Sequence, residues 1–497
     1  MSAFKDYNYI FYDLETTGQN PCFDQVVRFA AKETDYNLNI INEHNISIKL
    51  RNDVIPHPKA LLVNRLNIDQ LSEGIVEYEA FHKIHTIMNQ PNTINIGYNS
   101  LNFDDKFLRF GFYRNLLDPY THQYKTTDGN KFRADLYNMI FMYYLYKHDD
   151  SITWPIINNR LSLRLEQINM INNLYEGMSH DAEVDVYVTI ELAKQLKNSD
   201  EKMWDYLISS FVTDTDKKHF SKLSEMIDID NNQYKKGIFI SSKNGLKSNY
   251  CSPVIELCVA KENDKLNRKK MRLLRLDNYN FEDFNEDNFD KKIKTGVITK
   301  TFGEPNFIIP FSDRYSRVLN EHIVGMAKNN LSWLKHHPTA LKNLIKEKQN
   351  QNFEDTVTID LDASLYQGGW FQEYEKPYRD KFNNSSISEK ADYIKSLENN
   401  KEQDRIKKLA LRIMGRNYFD NLSLNSQKEY DQYLSSIFHK EPTTGFGDKL
   451  RVDPNLILKE TKELLNNKDL NLDDQKILNQ LSELISLKIR KQQDLGF

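Results

Sequence analysis

The sequence predicts an α/β fold for its first 200 residues, followed by a small β-rich region and a mainly helical C-terminal region. Three observations support this division. Short apolar strands alternate with segments of helical spacing up to residue 200, and short strands with polar turns occupy residues 230–310. From residue 315 onward the chain has helical character and is rich in Lys, Asn, Glu and Leu. We therefore expect three domains: residues 1–200, 201–350 and 351–497.

The first domain begins with strands and continues with helices interleaved between further strands, which favours a mixed sheet covered by helices. Alternating or continuous apolar residues predict strands at Tyr9–Leu14, Val26–Lys32, Leu38–Leu50 and Thr93–Tyr98. Helical spacing predicts helices at Glu77–Met88, Lys106–Asn115, Phe132–Tyr146 and Asp181–Lys197.

The second domain is predicted to be a small β structure. Its predicted strands are Gly237–Ser241, Val254–Ala260, Met271–Leu276 and Gly296–Thr301. A basic cluster, Lys261–Arg275, lies among these strands and could contact a polyanion, although such a run is more often a solvated hairpin. The polar stretch Lys346–Thr356 is a candidate linker to the third domain.

Composition narrows the class of protein. The chain has 497 residues, 39% of them hydrophobic, and a formal net charge of −4, so it can bury several cores and is not a generally basic nucleic-acid coat. Its three cysteines form no C-x-x-C pair, which favours a reducing compartment without disulfides. No signal peptide or membrane-spanning run is evident, so we expect a soluble, cytoplasmic protein that does not bind membranes.

Four carboxylates and one histidine occupy positions that suit phosphodiester hydrolysis. Asp13 and Glu15 are two residues apart at the end of a buried strand, and they therefore point to the same side. Asp104 follows the strand at residues 93–98, and Asp185 follows His180 by five positions, about 1.4 helical turns. Burying like charges together is costly unless a cation compensates them, and Mg²⁺ is the usual partner of carboxylate oxygens.

We interpret these residues as a two-metal hydrolytic site. Asp13, Glu15, Asp104 and Asp185 would bind two Mg²⁺ ions about 3.5–4 Å apart, and Mn²⁺ could substitute. His180 would accept a proton from the attacking water. Each residue taken alone has a simpler interpretation, because Asp and Glu near strand ends are often helix caps, and a histidine near a helix start is often just solvated. The neighbouring Asp105 and Asp181 are interpreted as helix caps or surface charges.

The three motifs resemble the DEDDh superfamily of 3′–5′ exonucleases. They are Asp13-Leu14-Glu15-Thr16-Thr17-Gly18, Asn99-x3-Phe103-Asp104 and His180-x4-Asp185. Within that superfamily the chain is most similar to the bacterial exonuclease I family. The wider similarity includes the runs Phe112-Tyr113-Arg114-Asn115, Asp118-Pro119-Tyr120, Trp154-Pro155, Arg164-Leu165-Glu166, Leu361–Tyr366 and Arg416-Asn417-Tyr418.

The resemblance implies an RNase H-like exonuclease domain, an SH3-like β domain and an α-helical C-terminal domain around a groove for single-stranded DNA. It implies an exodeoxyribonuclease that degrades single-stranded DNA from its 3′ end to 5′-mononucleotides, in DNA repair or recombination. It also implies a partner, the single-stranded-DNA-binding protein, recognised through its acidic C-terminal tail. We expect the enzyme to be a monomer.

The resemblance also suggests which residues contact the DNA strand. Arg109, Tyr120 and Arg164 match family positions that touch the strand, Tyr124 matches less closely, and Glu15 and Thr16 belong to the first motif. Arg164 would bind a phosphate near the scissile bond, and Tyr120 would stack on a base. The alternative for Tyr120 is a core position, because most of the 27 tyrosines must pack inside the protein.

Other functions remain open on the sequence alone. The same scaffold could proofread or trim RNA 3′ ends, since no motif reveals whether a side chain contacts a 2′-hydroxyl. A non-catalytic single-strand-binding module has no need of a buried acidic cluster, and a purely structural role leaves the N-terminal motifs unexplained. The three motifs together therefore favour the enzyme.

Overall fold

The structure is a computed structural model that describes residues 4–126, 129–177, 181–260, 270–349, 359–367, 371–400, 402–439, 443–467 and 469–494. Its contacts divide the chain into two compact units. The first unit comprises residues 6–131, 176–187 and 355–497, and the second comprises residues 1–5, 132–175 and 188–354. The three-domain division expected from the sequence stays a prediction.

The strands within the described residues are β1 (Asn8–Thr16), β2 (Val26–Thr34), β3 (Ile40–Ser47), β4 (Thr93–Gly97), β5 (Lys125–Thr126), β6 (Gly129–Asp135), β7 (Ile156–Ile157), β8 (Arg160–Leu161), β9 (Met226–Ile229), β10 (Asn232–Ile240), β11 (Cys251–Val259), β12 (Lys270–Arg275), β13 (Val297–Thr301) and β14 (Phe307–Pro310). The four strands predicted in the first 100 residues and the four predicted between residues 237 and 301 are all present.

The helices are α1 (Pro58–Asn64), α2 (Ile68–Ser72), α3 (Glu77–Met88), α4 (Asp104–Arg114), α5 (Leu136–Tyr146), α6 (Leu165–Asn172), α7 (Ala182–Ser199), α8 (Glu201–Ser209), α9 (Thr213–Ser221), α10 (Phe289–Lys292), α11 (Asp313–Ser316), α12 (Glu321–His336), α13 (Pro338–Gln349), α14 (Lys376–Asn384), α15 (Ile387–Ser396), α16 (Asp404–Asn417), α17 (Leu424–His439), α18 (Pro454–Leu465) and α19 (Leu472–Asp494). None of the helices described is both long and apolar enough to cross a membrane.

The first sheet is mixed, with the strand order β3-β2-β1-β4-β6-β5. β1 pairs antiparallel with β2 and parallel with β4, so it is a central strand buried on both sides. This burial explains why β1 has a nearly continuous apolar sequence. Helices α3 and α4 pack on the sheet through Phe81, Ile84, Phe107 and Leu108, all of which are fully buried.

The second sheet is antiparallel, with the order β13-β12-β11-β10-β14 and with β9 paired to one end of β10. The helices α12 and α13 cover one of its faces through a core that includes Trp333, Leu341 and Leu344. This sheet confirms a β-rich region after residue 201, whereas its assignment to the SH3-like class stays a prediction.

Two sequence predictions need correction. The helix expected at Phe132–Tyr146 begins only at Leu136, because β6 continues to Asp135 and the Asp135 carboxylate caps the helix by accepting from Tyr137 N at 3.0 Å. β6 and α5 follow each other without a loop, and the run Met139–Tyr146 is continuously apolar, so the sequence lacks the periodicity that separates strand from helix. The candidate linker Lys346–Thr356 is helical at its start, since α13 extends to Gln349 and buries Lys348; residues 350–358 lie outside the described residues.

A buried charge network joins the C-terminal helices to the first sheet region. Arg416 contacts Asp53 at 2.8 Å and also contacts Asp362. These side chains are at most 1% exposed, so both carboxylates depend on the arginine for compensation. The runs Leu361–Tyr366 and Arg416-Asn417-Tyr418, noted in the sequence for their resemblance, are thus brought together by an ion pair.

A second set of buried charges centres on Glu77, at the start of α3. Its carboxylate accepts from Arg51 at 2.8 Å and from Arg114 at 2.9 Å. Burial alone would raise the pKa of Glu77, but Arg114 and Arg51 outweigh it and lower the pKa below its ordinary value. The carboxylate therefore stays ionised and holds two arginines in the interior.

Candidate active site

Strand β1 presents two of the predicted carboxylates on one face. Asp13 lies opposite Ala30 of β2, and Glu15 lies opposite Arg28. Asp13 is half-buried and Glu15 is 7% exposed. Side chains two residues apart on a strand point to the same side of the sheet, so both carboxylates enter the same space.

The loop after β1 is fixed by hydrogen bonds from its threonines. Thr16 Oγ1 donates to Gly18 O at 2.8 Å, and Thr17 Oγ1 accepts from Gln25 N at 2.9 Å. A Cβ atom on Gly18 would lie 2.3 Å from the carboxylate of Asp24, so a larger residue would displace this turn. The glycine of the motif therefore permits close packing immediately after the two carboxylates.

Asp104 comes to the same edge of the sheet because β4 runs parallel to β1. After β4 the chain turns through Asn99, whose φ of 60° lies in the left-handed region that asparagine tolerates. The carbonyl of Ser100 then accepts from Phe103 N and Asp105 N, which starts helix α4 at Asp104. Asp104 is 4% exposed, so its carboxylate is buried at the end of the strand.

Asp185 lies in the first turn of α7. The Asp181 carboxylate accepts from Glu183 N at 3.0 Å, and the Asp181 carbonyl accepts from Asp185 N at 2.9 Å. Asp181 thus acts as a cap, as interpreted from the sequence. His180, the predicted base, lies outside the described residues, and its role stays a prediction.

The pKa shifts of Asp13 and Glu15 reflect burial and repulsion among all four carboxylates. Burial raises the pKa of Asp13 well above its ordinary value, and Asp104, Glu15 and Asp185 raise it further. Burial also raises the pKa of Glu15, to about 8, with further contributions from Asp185 and Asp104. Two buried and two half-buried carboxylates, separated by up to 172 positions in sequence, therefore share one strongly negative environment.

This donor set fits a hard divalent cation in its chemistry. Carboxylate oxygens are the ligands that Mg²⁺ and Mn²⁺ prefer, and a cation would offset the repulsion that raises both pKa values. Among the described residues no three His, Cys, Asp or Glu side chains already stand in a metal-binding arrangement. Charge repulsion acts over longer distances than coordination does, so the carboxylates would have to move closer together when they bind an ion.

Comparison with known proteins agrees with this site. The RNase T exonuclease family model matches residues 10–193, which span all four carboxylates. The exodeoxyribonuclease I of Buchnera aphidicola (subsp. Schizaphis graminum) is 28% identical over 89% of this chain and 90% of its own length. That of Escherichia coli is 27% identical over 89% of this chain and 92% of its own length. This chain is therefore similar to bacterial exodeoxyribonuclease I along most of its length.

Solved structures extend the match to the fold. E. coli exonuclease I in complex with a dA16 oligonucleotide superposes with a TM-score of 0.82 at 22% identity, over 97% of this chain and 100% of that one. Exonuclease I from Methylocaldum szegediense gives a TM-score of 0.80, also over 97% of this chain and 100% of its own. The RNase H-like exonuclease fold with a helical C-terminal region is thereby confirmed.

Two of the residues expected to contact DNA, Arg109 and Tyr120, lie in the protein interior. Arg109 is 7% exposed; it pairs with Asp105 at 2.8 Å and donates to Gln123 at 2.8 Å. Tyr120 is 1% exposed, with the Arg109 guanidinium 5.1 Å from its ring centroid. A base cannot stack on this ring as it is placed, which favours the core interpretation of Tyr120.

The other expected contacts differ in accessibility. Arg164 precedes α6, and its side chain is 74% exposed, with the Glu166 carboxylate 3.8 Å from its guanidinium. Tyr124 is half-buried before β5, and Thr16 is 6% exposed, with its hydroxyl bonded to Gly18. Arg164 is thus free to bind a phosphate, and the strand-contact roles of all three residues stay predictions. Most of the basic cluster Lys261–Arg275, residues 261–269, lies outside the described residues.

Sequence reasoning missed two basic residues on β2. Arg28 lies opposite Glu15 and pairs with Asp181 at 3.1 Å. Lys32 is 2% exposed and pairs with Glu183 at 3.4 Å. The available signal was the position of both residues on the same side of the otherwise apolar run Val26–Lys32, since an isolated cation on a buried strand needs a partner.

Proposed function

We propose that this protein is an exodeoxyribonuclease that removes 5′-mononucleotides from the 3′ end of single-stranded DNA, with Mg²⁺ as cofactor. The observation that carries the proposal is the acidic cluster of Asp13, Glu15, Asp104 and Asp185, where burial and then mutual repulsion raise the pKa of the two carboxylates on β1. Such a cluster is costly without cations and suits a reaction on a phosphodiester, where bound cations compensate the charge of the transition state.

Each residue has a separate task in the proposed reaction. Asp13, Glu15, Asp104 and Asp185 would hold two Mg²⁺ ions, or Mn²⁺ in their place. Bound there, the cations would supply an activated water and charge compensation at the leaving oxygen. His180 would take the proton of the attacking water, and Thr16, fixed to Gly18, would define the wall beside the terminal nucleotide.

The preference for single-stranded DNA rests on the relatives. E. coli exonuclease I has been solved with single-stranded oligonucleotides, and one such complex contains a zinc ion. By the same relationship we propose a role in DNA repair or recombination, a monomeric enzyme in the cytoplasm, and an interaction with the acidic tail of a single-stranded-DNA-binding protein. The exposed guanidinium of Arg164 would bind a phosphate of the strand.

A digestion of end-labelled substrates tests the proposal. Single-stranded DNA, duplex DNA and RNA would each be incubated with wild-type protein and with Asp185→Asn protein, with Mg²⁺ or with a chelator. We expect stepwise release of mononucleotides from the 3′ end of single-stranded DNA, abolished by the substitution or by the chelator. Equal cleavage of RNA would indicate a trimming enzyme instead, and binding without cleavage would contradict an enzymatic role.

A further inference from the structure

The helix that carries Asp185 is attached to β2 and β3 by charged side chains. Arg28 Nη1 lies 3.1 Å from the Asp181 carboxylate, and Lys32 Nζ lies 3.4 Å from that of Glu183. Asn45 of β3 connects the two pairs, because its amide nitrogen donates to Glu183 at 3.0 Å and its oxygen accepts from Arg28 Nε at 3.4 Å. These five residues are called the α7 clamp below.

Burial makes the lysine of the clamp dependent on its partners. Lys32 has a second carboxylate partner, Glu43, at 2.7 Å. The Lys32 side chain is 3% exposed, whereas those of Glu183 and Glu43 are 39% and 49% exposed. The ammonium also lies 4.0 Å from the ring centroid of Tyr187, one turn further along α7. A buried ammonium needs such compensation, so Lys32 holds this face of α7 against the strand.

The α7 clamp contacts the start of α7, next to the metal-site carboxylate of Asp185. Asp181 directly precedes α7, and Glu183 and Asp185 both lie in its first turn. Arg28 also lies opposite Glu15 across the β1–β2 pair. Burial raises the pKa of Glu15, and the positive charge of Arg28 lowers it. Arg28 therefore links two distant parts of the site. It pairs with Asp181 next to the helix that carries Asp185, and it lies opposite Glu15 on β1.

We propose that Arg28 and Lys32 are positioning residues that set the distance between Asp185 on α7 and the carboxylates on β1, and thereby the affinity of the site for divalent cations. This inference rests on the proposed function only in taking the four carboxylates as metal ligands. Residues that orient metal ligands without touching the metal typically change metal affinity or activity about 10–100-fold when replaced.

Mn²⁺ binding to the full chain, followed by the electron paramagnetic resonance signal of free Mn²⁺, tests this without requiring turnover. The variants are Arg28→Gln and Lys32→Met, which remove the charges but keep much of the packing volume. We expect each to raise the Kd for Mn²⁺ at least tenfold, and Arg28→Lys to restore most of the affinity. The control is Lys194→Gln, which removes an ion pair with Glu191 within the same helix and should leave the Kd unchanged.

A double-substitution cycle separates positioning from loss of stability. If Arg28 acts through Asp181, then Arg28→Gln, Asp181→Asn and the double variant should raise the Kd by similar factors rather than multiplicatively. If folding of these variants is impaired, Glu183→Gln tests the same clamp at a half-exposed carboxylate. In the nuclease assay the concentration of Mg²⁺ giving half-maximal rate should rise, while the rate at saturating Mg²⁺ changes much less.

The possible outcomes distinguish the two proposals. Weakened Mn²⁺ binding in the clamp variants supports the positioning role even if the wild-type protein cleaves no substrate. A lack of cleavage would contradict only the proposed function. Unchanged Mn²⁺ affinity in every clamp variant of an active nuclease overturns the positioning role and leaves the function intact. A wild-type protein that binds no Mn²⁺ also overturns the positioning role.

Discussion

Replacing Glu15 with glutamine should stabilise the metal-free protein at alkaline pH. The pKa of Glu15 is raised from its ordinary value of 4.5 to about 8, by burial first and then by Asp185 and Asp104. Between these two pH values the unfolded chain has lost this proton and the folded chain has kept it. The free energy of unfolding therefore falls as pH rises through this window, and it levels off above pH 8.

The size of the effect follows from the width of the window. At about 1.4 kcal/mol per pH unit, the loss attributable to Glu15 is at most about 5 kcal/mol. Glutamine has nearly the same shape and does not ionise, so Glu15→Gln protein should escape this loss. Removing the Glu15 charge also lessens the repulsion on Asp13, which further stabilises the variant relative to wild type at alkaline pH.

Urea unfolding in the presence of a chelator, at pH 5 and at pH 8.5, measures this difference. The two proteins should be similar in stability at pH 5, and the variant should be more stable by several kcal/mol at pH 8.5, with an unchanged m-value. Added Mg²⁺ should reverse the order, because it stabilises only the protein that can bind it. Equal losses of unfolding free energy in wild type and variant would refute the reasoning.

Three further predictions concern the adjacent pair Asp104 and Asp105, the buried carboxylate of Glu77, and the helical glycine Gly111. Asp104→Asn should reduce cleavage at least 100-fold without lowering the melting temperature, whereas Asp105→Asn should lower the melting temperature, because Asp105 pairs with a buried arginine at 2.8 Å and a buried histidine at 3.1 Å. Glu77→Gln should cost about 3–5 kcal/mol of unfolding free energy, because it leaves two buried arginines without their carboxylate; calorimetry at pH 7 would detect it. Gly111→Ala should destabilise by about 1–3 kcal/mol, since its Cβ would lie 2.0 Å from a phenylalanine ring, whereas Gly325→Ala, with nothing within 4 Å, should be neutral or stabilising in the same urea titration.

The sequence predicted most elements near the site because their signals are local. β1 is a continuous apolar run that ends in two carboxylates, and α3 has a clear helical period, so their bounds differed by at most two residues from those observed. The boundary at Asp135 was missed because β6 and α5 follow each other without an intervening loop. Local patterns cannot separate them there, since the cap that starts α5 is a single aspartate.

The candidate site was predictable to the extent that its chemistry is written in single residues. The four carboxylates could be named because buried like charges are rare and costly in any fold. The interior placement of Arg109 and Tyr120 could not be predicted from the sequence. The same arginine and tyrosine would occur in the sequence whether DNA or the protein core lay beside them. Their pairing depends on Asp105 and Gln123, which the fold alone brings within hydrogen-bonding distance.

The same reasoning explains why α7 needs connections to β2 and β3. Each carboxylate of the site raises the energy of the others, so the metal-free structure gains by letting Asp185 move away from β1. Arg28 and Lys32 oppose that movement, because separating α7 from β2 would leave the buried Lys32 with one carboxylate partner fewer. Attractive pairs just outside the acidic cluster thus offset repulsion within it, and the fold can hold a site that is unfavourable until cations bind.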